Sequence, residues 1–284
     1  MAMATSPKRF RAGFRELLLE LHWRHWCALG ITGQAEPEHR WIVDLEALAV
    51  STLAFGQEDA RLSRLAHEWL VMNREWVSTT RLRRIGRAFG NGLVPTGSGS
   101  LVVTHKRSKV APPVVTQPVL LQLQLRALLG MDVRADAFWY LLFNTAGNSS
   151  SIARALHVDQ RRVYDVLERW CGAGVVRKVT GGYSLVPDAV PATVAEARNQ
   201  TEWQNWATTL LALARLNKLL TKVTTDDRYI VSSLARDVRA DIEPQAAAVG
   251  VSMSPDDRYP GDAYFEPFAV GVTAWLERLV GRRG

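Results

Sequence analysis

Apolar residues recur at helical spacing through most of the chain, which predicts a mainly α-helical protein. In the first predicted helix, over residues 8–29, one face carries Phe10, Phe14, Leu17, Leu18 and Leu21. Gly, Pro and potential capping residues delimit further helices. Before the middle of the chain we place them at 44–55, 58–73, 78–89 and 118–130, and near its end at 201–222, 226–248 and 262–281.

A segment rich in Gly, Ser and Pro interrupts this pattern between residues 91 and 117. Its only charged residues are Lys106, Arg107 and Lys109. We expect an exposed, partly mobile basic linker with one short strand around Leu101–Thr104. The predicted organisation is an N-terminal helical domain over 1–90, a linker over 91–117, a central domain over 118–187 and a C-terminal helical domain over 188–284.

The central segment 134–187 combines three short amphipathic helices with a β-hairpin. The first helix ends near Asn144, Ser149 is expected to cap the second, and Asp159 is expected to cap the third, over 160–170. The third helix has one apolar stripe, formed by Val163, Val166, Leu167 and Trp170. Two β-type stretches, 175–179 and 183–186, follow on either side of the turn Thr180-Gly181-Gly182.

This order of elements resembles the winged helix-turn-helix of bacterial transcription regulators of the ArsR and MarR kind. Ala153 holds the position of the small residue where two helices cross, Val158 is the apolar residue of the turn, and residues 173–176 resemble the sequence that leads into the wing. His157 departs from the pattern, because this turn position often holds Gly, which accepts positive φ freely. The layout of the whole chain bears a fainter resemblance to regulators of the AbiE-type antitoxin kind.

The resemblance implies that the third helix enters the major groove of DNA by its N-terminal end. Arg and Gln can form paired hydrogen bonds with guanine and adenine, and other basic residues and helix N-termini suit phosphates. The predicted DNA-binding residues are Ser149, Ser150, Gln160, Arg161, Arg162, Tyr164, Asp165, Arg169, Arg177 and Lys178. The alternatives are a helix face that is merely solvated, or a winged helix that docks a protein.

Charge supports a polyanionic partner for the front of the chain. The net charge is +7, and it divides into +9 over the first 187 residues and −2 over the remaining 97. Four further arginines, Arg81, Arg83, Arg84 and Arg87, lie within two turns of the helix over 78–89. They could form a second phosphate contact, although we favour a solvated face paired with nearby Glu.

Several protein classes are excluded by the sequence. Two cysteines are too few for a disulfide scaffold or a Cys-rich zinc module, and no apolar stretch is typical of a signal peptide or long enough to cross a bilayer. We therefore expect a cytoplasmic protein. His22, His25 and Cys27 could suggest a metal site, but packing is favoured beside Trp23 and Trp26. Common enzyme signatures are missing, so we expect no catalysis and no cofactor.

The helix over 118–130 carries leucines on more than one face: Leu120, Leu121, Leu123, Leu125, Leu128 and Leu129. We expect a homodimer formed through this helix, the alternative being a helix wedged between domains of one chain. The predicted function is sequence-specific binding of double-stranded DNA in transcription regulation. One alternative is an antitoxin-like or assembly protein that binds a toxin-like protein partner through its helical flanks. A minor alternative is a ligand sensor with a pocket among the C-terminal helices.

Overall fold

The computed structural model describes residues 6–33, 39–56, 58–90, 109–222 and 226–281. Across these ranges the chain forms twelve α-helices and one small antiparallel sheet of two strands, which confirms the predicted mainly α-helical class. Within the same ranges, no helix is both long enough and apolar enough to span a membrane.

The N-terminal helices begin and end close to the predicted positions. They are α1 (Pro7–Ala28), α2 (Leu45–Ala54), α3 (Ala60–Met72) and α4 (Thr79–Ala88). Asp44, Asp59 and Ser78 cap the last three of these helices, because each side chain accepts a hydrogen bond from a backbone N–H in the first turn.

The middle of the chain follows the predicted order of elements. A 3-10 turn (Pro118–Leu120) leads into α5 (Leu121–Leu129), and then come α6 (Val133–Phe143), α7 (Ser149–Leu156), α8 (Gln160–Gly172), β1 (Val176–Val179) and β2 (Gly182–Leu185). The strands pair antiparallel, with Val176 opposite Leu185 and Val179 opposite Gly182. The last helices are α9 (Ala192–Asn199), α10 (Trp206–Lys222), α11 (Arg228–Ala247) and α12 (Phe265–Val280).

The chain divides into two compact units. The first comprises residues 1–24 with 208–284, and the second comprises residues 25–207. In the first unit, Phe10 packs edge-on against Phe265 and Phe268, with ring centroids 5.9 and 6.2 Å apart. The domain boundaries predicted near residues 90, 117 and 187 all lie within the sequence range of the second unit.

The core of the second unit joins α5 to the segment that follows it. Residues from α5, α6, α7, α8, the hairpin and α9 belong to one cluster of buried side chains, which includes Leu121, Trp139, Ile152, Val163 and Val194. Leu121 and Leu125 are fully covered inside this unit. They are therefore not the exposed dimer face that we predicted, whereas Leu128 is exposed.

The end of the predicted linker is held by backbone hydrogen bonds. Thr32 donates its N–H to the carbonyl of Lys109 at 2.7 Å, and Ala111 donates to the carbonyl of Gly30 at 2.9 Å. The prediction of a mobile linker is therefore wrong for residues 109–111. The predicted strand around Leu101–Thr104 and the cations Lys106 and Arg107 lie outside the described residues.

Candidate nucleic-acid interface

Helices α7 and α8 are joined by a tight turn at His157. His157 has φ 55° and ψ 42°, and among the described residues it is the only one other than Gly with positive φ. This is the position where the sequence departs from the expected Gly, so the left-handed conformation is retained by a residue that adopts it at a cost. Ala153, the small residue predicted at the helix crossing, is buried.

The caps of the two helices differ in how well they were predicted. Asp159 caps α8 as expected, because its carboxylate accepts a hydrogen bond from the N–H of Arg162 at 3.1 Å. The prediction that Ser149 caps α7 is wrong. Asn148 is the cap, and its side-chain oxygen accepts a hydrogen bond from the N–H of Ser151 at 2.8 Å. Ser149 is instead the first residue of the helix.

The hairpin is extended by a backbone bridge that we did not predict. Gly147 lies between α6 and α7, and it exchanges two hydrogen bonds with Tyr183 of β2, at 3.0 and 2.9 Å. A Cβ atom on Gly182 would lie 2.4 Å from the carbonyl carbon of Gly147, so this approach requires Gly. The glycines were visible in the sequence, but their proximity was not.

Helix α8 presents a polar face opposite its buried stripe. Val163, Val166 and Leu167 are buried. Five of the predicted DNA-binding residues on this helix are exposed: Gln160, Arg161, Arg162, Tyr164 and Arg169. Arg161 is the clearest case: its side chain is 86% exposed, and its Nε lies 3.8 Å from a carboxylate oxygen of Asp165. Such a long, solvated contact leaves the guanidinium available to another partner.

The predicted wing residues divide into two kinds. Lys178 is exposed but engaged, because its Nζ lies 2.9 Å from Glu168 and 5.8 Å from the ring of Tyr183. The Tyr183 hydroxyl also donates a hydrogen bond to Glu168, which lowers the pKa of that carboxyl and raises the pKa of Tyr183 to about 12. Arg177, the preceding residue of β1, is exposed. Ser149 and Ser150 are half-buried at the start of α7.

A buried ionic cluster lies in the same unit as this face. It consists of Asp44, Glu46, Arg81, Arg126 and Asp136. Arg81 donates hydrogen bonds to both carboxylate oxygens of Asp44, at 2.5 and 2.6 Å, and to Glu46 at 2.8 Å. Arg126 also donates a hydrogen bond to Glu46, at 2.8 Å. Our inclusion of Arg81 among the exposed arginines is therefore wrong, since its side chain is 1% exposed.

Burial and ion pairing compete within the cluster. Burial alone would raise the pKa of Glu46, but the attraction of Arg126 and Arg81 outweighs it and lowers the pKa to about 2. Burial raises the pKa of Asp136 above its usual value, although Arg126 and Arg81 oppose that shift. The cluster therefore combines two permanent cations with carboxyl groups that differ in their tendency to ionise.

Helix α4 contacts the turn between α7 and α8 on both sides of His157. Arg81 donates from Nε to the carbonyl of Leu156, the last residue of α7, at 2.7 Å. Arg84 donates to the carboxylate of Asp159, the cap of α8, at 3.2 Å. No pattern in the sequence linked these residues, because each pair is 75 positions apart.

Among the described residues, no group of three or more His, Cys, Asp and Glu side chains is arranged to hold a metal ion. Both histidines that suggested a metal site are buried and contact neighbouring groups of the protein. His22 lies 2.7 Å from the carbonyl of Leu18, and His25 stacks on the ring of His39.

One compact unit therefore contains the exposed face of α8, the hairpin beside it and helix α4 against the turn.

In comparisons with known proteins, no family model, no curated protein and no solved structure matches this chain.

Proposed function

We propose that residues 133–186 form a winged helix-turn-helix and that the protein binds double-stranded DNA, with the N-terminal end of α8 in the major groove. The observation that carries this proposal is the face of α8 described above. It gathers Gln160, Arg161, Arg162 and Tyr164 within the first turns of the helix, all of them exposed. A groove-binding helix needs side chains of this kind at that end.

Two further observations support the winged-helix assignment. The isolated bridge between Gly147 and Tyr183 pairs the hairpin with a residue that lies between the first two helices of the motif. The left-handed His157 allows the sharp reversal from α7 to α8. Together they hold the hairpin and α8 in a fixed relation, as a groove-reading helix with an adjoining wing requires.

The exposed residues suit different parts of the duplex. The guanidinium groups of Arg161 and Arg162 can form paired hydrogen bonds with guanine O6 and N7, and Gln160 can bond adenine. Arg169 and Arg177 carry their charge farther along the helix and on the wing, where phosphates are the natural partners. Lys178 contributes less, because Glu168 already neutralises it. Recognition of a particular site would serve transcription regulation.

The test is fluorescence anisotropy on labelled duplexes that tile the region upstream of the protein's own gene. If they read bases, Arg161→Ala and Arg162→Ala should each cost about 1–3 kcal/mol of binding free energy and relax the preference between duplexes. Both residues lie off the buried stripe, so the fold should be retained. Arg134→Ala is the matched control, because this exposed arginine of α6 pairs with Asp132.

Two outcomes would contradict the proposal. If the double variant Arg161→Ala/Arg162→Ala kept full affinity and selectivity, α8 would not be the reading helix. If the wild-type chain bound no duplex at about 50 mM salt, where phosphate contacts are strong, DNA binding itself would be excluded. That second result would favour the alternative in which the same face docks a protein.

A further inference from the structure

We infer that helix α4 extends the DNA-binding surface beside α8: Arg83 and Arg87 bind the phosphate backbone next to the groove that α8 reads, and Arg84 neutralises Asp159. This inference rests on the proposed function. It adds a second element to the interface, outside the winged helix, and assigns that element to the backbone and not to the bases.

The arginines of α4 fall on two different sides of the helix. Arg83 and Arg87 are four residues apart, and residues at this spacing are neighbours on a helix surface. Both are exposed, and Arg84 lies next to them and is partly exposed. Arg81 points the other way, into the core, with Leu82 and Ile85. One sector of the helix therefore carries three cations and faces outward.

Arg84 joins this sector to the N-terminal end of α8. Arg84 reaches Asp159, the residue that caps α8, and Arg87 follows Arg84 by three residues on the same side of α4. The first residues of α8 are those that would enter the major groove. In the proposed complex, Arg87 and its neighbour Arg83 would therefore face the DNA strand that borders the groove at this end.

The position of α4 is fixed before any DNA is bound. Arg81 joins it to the carbonyl of Leu156 and, through the buried cluster, to Asp44 and Glu46. A surface that is already ordered loses less entropy when it binds. The cations of α4 are thus held in place, in contrast to charges on a free segment.

The pairing of Arg84 with Asp159 removes an obstacle to binding. The carboxylate of Asp159 lies at the end of α8 that faces the groove, where an unpaired negative charge would repel phosphates. Arg84 lies 3.2 Å from it and supplies the compensating charge. Arg84 is therefore a positioning and neutralising residue, whereas Arg83 and Arg87 have charge to offer to DNA.

The charges of Arg83 and Arg87 are not used within the described part of the protein. No ion pair joins either of them to another described residue, and no acidic residue occurs between positions 79 and 90. Of the four arginines that we expected to pair with nearby Glu, Arg81 pairs with Glu46 in the core and Arg84 pairs with Asp159, whereas Arg83 and Arg87 form no ion pair with a described residue. Because Arg84 links this sector to the N-terminal end of α8, a phosphate backbone is the partner that fits it.

The experiment compares the salt dependence of binding for Arg83→Ala/Arg87→Ala and the wild-type chain. The probe is a labelled mixed-sequence duplex of about 30 base pairs, titrated between about 50 and 200 mM KCl. Losing two phosphate contacts should weaken binding equally on all sequences and reduce the slope of log K against log[salt] by about 2. Arg83→Lys/Arg87→Lys should keep most of the slope, because a phosphate contact requires charge.

The matched control is Lys218→Ala/Lys222→Ala, which removes two exposed cations four residues apart on α10. The inference is overturned if this control reduces the slope as much as the α4 variant does, because net charge would then explain both. It is also overturned if Arg83→Ala/Arg87→Ala leaves the slope unchanged while Arg161→Ala/Arg162→Ala weakens binding, a result that leaves the proposed function standing. A wild-type chain that binds no duplex overturns both.

The role of Arg84 is tested by a pair of substitutions. Arg84→Ala should weaken binding, because the charge of Asp159 is then exposed to phosphates. Asp159→Asn in the same background should restore affinity, since Asn also caps helices but carries no charge. If Asp159→Asn restored nothing, Arg84 would not act through Asp159.

Discussion

Arg81 of α4 donates a hydrogen bond from Nε to the carbonyl oxygen of Leu156, the last residue of α7. The same guanidinium is paired with Asp44 and Glu46, and its side chain is buried. The carbonyl groups at the end of a helix lack partners within the helix, and here one of them is satisfied by a charged donor. The turn before α8 is therefore held by the buried cluster.

Replacing Arg81 should destabilise the protein strongly. Arg81→Met retains much of the volume but leaves Asp44 without the two hydrogen bonds that it receives from Arg81. Removing one partner of a buried pair typically costs about 3–5 kcal/mol, because the remaining charge stays buried without compensation. Urea denaturation would measure the loss. Arg83→Met, on the exposed sector of the same helix, should change the free energy of unfolding by no more than about 0.5 kcal/mol. Equal effects of the two would contradict the structural role of Arg81.

The left-handed turn at His157 should discriminate among residue types. Asn adopts positive φ more readily than other residues that have a Cβ, so His157→Asn should have the stability of the wild type. His157→Val should lower the free energy of unfolding by at least about 1–2 kcal/mol, because a β-branched residue is strained in this conformation. Thermal unfolding of the two variants gives the comparison. A Val variant as stable as the Asn variant would show that the turn does not require this conformation.

The contact of Gly182 with Gly147 should tolerate no side chain. Gly182→Ala introduces a Cβ that would lie 2.4 Å from the backbone of Gly147. Gly181→Ala is the matched control, since Gly181 also has positive φ but a Cβ there has open space around it. Both variants bear the strain of the backbone, but only Gly182→Ala must also displace its neighbour. We expect it to cost about 1–3 kcal/mol more in urea denaturation, as overpacking does. Similar losses would argue against the close approach.

Burial of His22 should make stability depend on pH. Burial lowers its pKa from 6.5 to about 4 in the folded chain, although a hydrogen bond with the carbonyl of Leu18 opposes the shift. Between these values the unfolded chain binds a proton that the folded chain does not. The contribution of neutral, buried His22 to the free energy of unfolding is therefore complete above pH 6.5. It declines by about 1.4 kcal/mol per pH unit as the pH falls toward 4.

The measurement is the free energy of unfolding against pH for the wild type and for His22→Gln, which carries no titrating group. As the pH falls from 6.5 to 4, the free energy of unfolding of the wild type should decrease relative to that of the variant. Parallel curves would mean that His22 does not titrate differently on folding.

Much of the candidate interface could be predicted because its elements are defined by residues close together in sequence. Helix α8 illustrates this. Its cap is Asp159, and its buried stripe at Val163, Val166 and Leu167 follows the helical period. The hairpin likewise follows from Gly181 and Gly182 between β-type stretches. Capping, periodicity and turn conformation act over about four residues, so the sequence alone determines them.

What the sequence could not determine depends on residues far apart along the chain. Arg81 lies among three other arginines, and its burial depends on Asp44 and Glu46 at the start of α2 and on the carbonyl of Leu156. In the sequence, Leu121 is typical of an exposed dimer face, but in the structure the core of its own unit covers it. Helix α9 has no counterpart among the helices predicted from the sequence, because it is short and buries only Val194 and Ala197. In each case the free energy of burying a group depends on which distant partner meets it, and only the tertiary structure supplies that partner.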